Sequence, residues 1–165
     1  MSELQVEIVR LAPMQVASFH GFGSEPEFQA AAKMLAWAEP RGLYDEGFGH
    51  RVFGFNNPSP TAASPNYGYE FWLELKDGET ALIGGAAADA LSAGEVELRS
   101  FDGGLFAVAR CRGVAAVPDT WRQLVTWLED SRYTMSHGQC LEQHTGRING
   151  DIEALNFALY QAIVE

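Results

Sequence analysis

The second half of this chain repeats the organisation of the first at an offset of 90 residues. Val6-Glu7-Ile8 is matched by Val96-Glu97-Leu98, Ala17 by Ala107, Gly23 by Gly113, Trp37 by Trp127 and Glu39 by Glu129. Identical pairs are few, but the order of apolar strand, turn, apolar strand and amphipathic helix is kept throughout. A duplicated unit makes a seam, and a seam between two half-sheets is where a pocket is expected. The repeats run over about residues 3–75 and 93–164. The expected organisation is a single domain over 1–165, a length that buries roughly two-thirds of the surface of the unfolded chain.

Each unit reads as ββαββ. Apolar runs over 4–11 and 14–22 flank Ala12-Pro13 and suggest a hairpin. Ser24-Glu25-Pro26-Glu27 has the form of a capping box with proline in the first turn, and Phe28, Ala31, Leu35 and Ala38 follow at helical spacing until Pro40-Arg41-Gly42. A strand is expected over 51–55, a proline-rich loop over 56–66 and a strand over 67–75. In this last strand Tyr67, Tyr69, Phe71, Leu73 and Leu75 share the side suited to packing beneath a helix, leaving Gly68, Glu70, Trp72 and Glu74 on the other. Residues 80–94 connect the units with no strong signal of their own. The pattern restarts with a second hairpin over 95–112 turning at Asp102-Gly103-Gly104, a helix from near Pro118 to about Asp130 with Trp121, Leu124, Val125 and Leu128 on one stripe, and a strand over 140–145. Residues 152–164 fit either helix or strand by periodicity; repeat position favours the strand.

Eleven Lys and Arg against twenty-two Asp and Glu give a net charge of -11, a field that repels phosphate backbones and anionic membranes and draws cations. Direct nucleic-acid binding and membrane association are therefore not expected. No basic and hydrophobic leader opens the chain and no apolar run approaches the roughly 18 residues of a membrane span, so a cytoplasmic location is expected. Cys111 and Cys140 are expected as reduced, buried small side chains. His20, His50, His137 and His144 are scattered without ligand spacing, and neither a metal nor a cofactor is expected.

Two carboxylates stand out by position. Glu70 lies in mid-strand beside Trp72, and Glu142 lies within Cys140-Leu141-Glu142-Gln143-His144, near the middle of the second half-sheet. A carboxylate held against aromatic rings traps cations, because the rings supply apolar and π surface and the carboxylate the countercharge. Both positions are equally open to a plain solvated face. Trp37, Trp121 and Trp127 fall in helices and suit core packing, which leaves Trp72 as the tryptophan for a pocket. Tyr160 and Phe106 are candidate wall residues, with core and surface positions equally open.

The repeated strand and helix order, Tyr67-Gly68-Tyr69-Glu70-Phe71-Trp72, the pair Trp121 and Trp127, and Leu141-Glu142-Gln143-His144 resemble the GyrI-like effector-binding domains, the ligand-binding parts of AraC-type and MerR-type multidrug regulators that also occur alone. The resemblance implies an α+β fold: pseudo-two-fold ββαββ units joined in a curved antiparallel sheet, helices on one face, and a pocket at the junction. It also implies capture of bulky, cationic and aromatic compounds against a central acid. Glu142 matches that acid best, with Glu70, Trp72 and Tyr160 around it. Since residue 1 already opens the first hairpin, no helix-turn-helix is expected in this chain, and a separate regulatory protein is a candidate partner.

Three functions remain. A binding module needs only Glu142 or Glu70 ionised in an aromatic enclosure, with loop 56–66 able to gate it. A hydrolase of strained cyclopropane-bearing electrophiles would use one glutamate as base and a second carboxyl or a tyrosine as acid. A gyrase-inhibitor-like interaction protein would need clustered surface acids, whereas the acids here are spread along the chain.

Overall fold

The computed structural model describes residues 4–82 and 96–165; most of the connector read over 80–94, and Glu95, fall outside them. In chain order the elements are β1 (Val6–Leu11), β2 (Met14–Gly23), α1 (Pro26–Ala38), β3 (Val52–Asn56), β4 (Tyr67–Leu75), β5 (Glu97–Phe101), β6 (Gly104–Arg112), α2 (Val117–Glu129), β7 (Thr134–Met135), β8 (Leu141–Thr145) and β9 (Asn156–Val164). Residues 152–164 thus resolve into a short 3-10 turn, Ile152–Ala154, followed by a strand. The chain divides into two compact units, one made by Met14–Phe101 and the other by Met1–Pro13 with Asp102–Glu165.

In the unit of Met14–Phe101, β4 pairs with β3 on one side and β2 on the other, and β2 pairs in turn with β5, all antiparallel. Odd-numbered residues of β4 face α1: Phe71 lies opposite Phe19, and the Phe19 ring meets that of Trp37 with centroids 5.8 Å apart. The buried arc of α1 centres on Ala30, Met34 and Trp37. Phe28 lies on the flank of that arc and is 55% exposed, so it does not join the core as its spacing suggests. Nor does the capping box form. Glu25 is the N-cap and makes no side-chain capping bond, while Glu27 accepts the Tyr67 hydroxyl at 2.6 Å. Burial, and then Glu27, push the Tyr67 hydroxyl up to about 12. Tyr67→Phe is expected to lower stability by about 1 kcal/mol, read from urea unfolding; an unchanged midpoint would remove this tie between strand and helix.

The second unit places β6 between β1 and β9, with β8 and the two-residue β7 following one another along the far side of β9. Its helix α2 buries Thr120, Leu124 and Leu128; Trp121, Val125 and Trp127 are half-buried. Cys111 and Cys140 are both free and half-buried rather than enclosed. Burial raises the Cys111 thiol above its ordinary value, with Glu142 adding to the rise and a Thr120 hydrogen bond opposing it.

Both expected hairpins are replaced by an exchange of partners: β1 pairs with β6, and β2 with β5. Two-residue hairpin loops need positive φ, which Pro13 does not adopt, so Ala12-Pro13 carries the chain onward instead of back. Gly103, at φ 78, lies so close to the Leu11 carbonyl that a Cβ there would collide with it. No helix among the described residues is long and apolar enough to cross a membrane.

Candidate functional site

Strand register gathers the polar residues of the first unit on the sheet face turned from α1. Glu70 of β4 lies opposite His20, Trp72 opposite Ser18, and across β2 from there Glu97 lies opposite Ser18 and Arg99 opposite Val16. The Glu70 side chain is only 4% exposed. Its Oε2 accepts Ser18 Oγ at 2.7 Å and Trp72 Nε1 at 2.6 Å, and Arg99 Nε lies 3.3 Å from the same oxygen. Oε1 accepts Asn57 Nδ2 at 3.1 Å. Neutral donors and one guanidinium thus satisfy the oxygens of this buried side chain.

Asn57 reaches this carboxylate because its backbone is pinned to β4. Asn57 N donates to Gly68 O at 2.8 Å and Gly68 N donates to Pro58 O at 2.9 Å, across a cis Asn57–Pro58 peptide. His20 Nε2 donates to the Asn57 carbonyl at 2.6 Å; a carbonyl only accepts, so the proton sits on Nε2. Gly68 permits this approach: a Cβ on it would run into the Asn57 carbonyl and the His20 ring.

Over this surface opens a cavity of about 420 Å³, within the range of small-molecule sites. Glu70, Glu97 and Arg99 are its charged lining; Ser18, His20, Asn57 and Pro58 complete it. All seven belong to the unit of Met14–Phe101. Trp72, beside Glu70 on the same strand face and outside the cavity lining, packs edge-on against Phe55 at 4.8 Å and tilted against Phe101 at 5.4 Å.

The other sequence candidates lie in the second unit, on two faces of its sheet. Glu142 faces α2, where its Oε2 accepts Trp121 Nε1 at 3.0 Å. Tyr160 and Phe106 project from the opposite face, their rings 5.7 Å apart and edge-on, with the Tyr160 hydroxyl donating to Gln143 Oε1 at 2.8 Å. The structure therefore joins Glu70 to Trp72 and Phe106 to Tyr160, and separates Glu142 from the latter pair by the thickness of the sheet. Ser18, Asn57, Glu97 and Arg99 were not legible as site residues; a lone hydroxyl in Val16-Ala17-Ser18-Phe19 is the one local signal. Among the described residues no group of three His, Cys, Asp or Glu side chains is arranged to hold a metal ion.

Comparison with curated proteins gave no match. Among solved structures, the C-terminal domain of EcmrR is similar, with TM-score 0.66 at 13% identity over 98% of each chain. A hydrolase from Listeria innocua gives 0.65 at 12% identity over 99% of this chain and 94% of its own. SAV2435, solved bound to tetraphenylphosphonium, gives 0.56 at 10% identity over 98% of this chain and 94% of its own. At such identities the likeness speaks for the fold alone. The sequence itself matches the GyrI-like small molecule binding domain over residues 4–147, most of its length, and the chain belongs to that family.

Proposed function

We propose that this small-molecule-binding domain captures bulky hydrophobic cations, and that Glu70 is the carboxylate that receives them. The observation that carries the reading is an almost fully buried carboxylate, oriented by Ser18, Asn57 and Trp72, on the wall of a cavity of about 420 Å³. Glu70 and Glu97 against Arg99 leave that lining one net negative charge, and the net charge of -11 raises the local concentration of cations before contact. Trp72, which donates to Glu70, is itself fixed by packing against Phe55 and Phe101, outside the cavity lining, and so holds the carboxylate in place. Tetraphenylphosphonium, the compound bound to SAV2435, is a bulky aromatic cation, which supports the same ligand class here.

Capture is favoured over hydrolysis by the state of Glu70. A general base needs a lone pair directed at water; Oε2 already faces Ser18, Trp72 and Arg99, and Oε1 accepts from Asn57. Glu142, held by Trp121 on the helix side, is the less suited of the two glutamates.

Calorimetric titration with tetraphenylphosphonium and with tetraphenylborate, an anion of the same shape, tests the reading. Wild type is expected to bind the cation and reject the anion. Glu70→Gln should weaken the cation by at least roughly tenfold, about 1.4 kcal/mol, and Glu142→Gln by less than about twofold. The reverse ranking would move the site to Glu142, and equal affinity for both ions would remove the cation reading.

A further inference from the structure

We infer that Arg99 is a displaceable internal counter-ion: its guanidinium occupies the cation seat beside Glu70 in the empty site and yields that seat when a hydrophobic cation binds. The inference rests on the capture reading above and adds how the site chooses among cations.

Arg99 is held at two points of unequal depth. Its Nε lies 3.3 Å from Oε2 of Glu70, longer than the 2.7–2.9 Å usual for a charge-assisted bond, while Nη2 lies 2.8 Å from Oε2 of Glu97. Glu70 is 4% exposed, whereas Arg99 is 48% and Glu97 58% exposed. The inner contact is thus the looser one and the outer contact the firmer. Swinging outward, the guanidinium gives up Glu70 and keeps Glu97, so its charge is never stranded. About half of its side chain is already open to solvent, and an exposed ion pair holds it with little energy.

Glu70 has the opposite requirement. A buried carboxylate is more favourable with a countercharge than without one, so the seat beside Glu70 favours a cation. When the guanidinium leaves, the arriving ligand replaces it, and Glu70 passes from one positive partner to another. Because Arg99 is tethered, its effective concentration at the seat is on the order of millimolar or more. A small hydrated cation gains little beyond charge from the exchange and does not compete. A bulky apolar cation also gains from removing its apolar surface from water, and it does compete. Arg99 on this account is a specificity determinant that raises the threshold for entry.

The test is calorimetric titration of tetraphenylphosphonium at pH 8 against wild type, Arg99→Met, Arg99→Lys, Glu70→Gln and the Glu70→Gln/Arg99→Met double variant. Arg99→Met keeps the aliphatic stem and removes the charge, and is expected to tighten binding roughly tenfold. Arg99→Lys should stay within about threefold of wild type, and the double variant should bind no better than Glu70→Gln alone. Binding by Arg99→Met where wild type shows none would also support the inference. If Arg99→Met binds equally or more weakly while Glu70→Gln still weakens binding at least roughly tenfold, the counter-ion role is overturned and the capture reading stands. If neither wild type nor Arg99→Met binds, both are overturned.

Discussion

Gly68→Ala is expected to destabilise the protein by about 3 kcal/mol and to weaken cation binding at the same time. The added methyl would meet the carbonyl of Asn57, a backbone atom, and not the far end of a flexible side chain. That carbonyl cannot withdraw alone, because Asn57 N is bonded to Gly68 O and Pro58 O to Gly68 N. Relief requires opening this short ladder, and as Asn57 shifts its Nδ2 leaves Oε1 of Glu70. Stability and ligand affinity should therefore fall together, read from urea unfolding and calorimetry. Gly78→Ala is the control: its backbone has φ +87 but nothing lies within 4 Å of a Cβ there, so it should cost only about 1 kcal/mol and leave affinity unchanged. Gly68 itself lies in extended backbone, so a loss no larger than that of Gly78→Ala would mean that the approach of Asn57 does not constrain position 68.

A comparable loss is expected on mild acidification. His144 is buried in β8 with its ring edge-on to Phe157 at 4.9 Å, and burial lowers its pKa to about 3 from an ordinary 6.5. Between those values the unfolded chain takes up a proton that the folded chain refuses, so stability falls as pH falls through this window and is unaffected by His144 above it. From pH 6.5 to 4.5 the loss is roughly 3 kcal/mol, at about 1.4 kcal/mol per pH unit. Carboxylates held low add their losses only below their ordinary value of 4.5: burial acts to raise Glu74 and Glu79, but hydrogen bonds from Arg51 to the first, and from Lys76 and His50 to the second, outweigh it. The window above pH 4.5 thus isolates the histidine. Unfolding free energies of wild type and His144→Gln between pH 4.5 and 7.5 decide it: a slope that persists unchanged in the variant would assign the acid sensitivity elsewhere.

How far the sequence reaches depends on the range of the interaction that each feature uses. Strand β4 is legible in full, ends and faces included, because nine alternating residues with a turn at Lys76-Asp77-Gly78 give both period and limit. The α+β class and both helices follow from the same local periodicities. Pairing partners do not: β1 and β5 are correctly placed as strands, yet their partners lie far along the chain, and a local turn motif carries no information about them. The same limit applies to the site. Glu70 and Trp72 are visible as neighbours on one strand face, but Ser18, Asn57 and Arg99 come to the carboxylate from 52, 13 and 29 residues away through register alone. The face taken by Glu142 is not legible either, since β8 has only five residues with a mixed pattern, and α2 settles the matter through Trp121.

The division of the chain also sets an order of events during synthesis. Met14–Phe101 is one uninterrupted stretch, so its sheet and α1 have all their strands once Phe101 has left the ribosome, with the Glu70 carboxylate and its donors among them. Strand β1 emerges first of all, but its partner β6 begins only at Gly104, and β9, which β6 needs in turn, ends at Val164. The nascent chain therefore keeps β1 without its strand partners until its last residues are released, whereas every strand of Met14–Phe101 is already outside the ribosome by then.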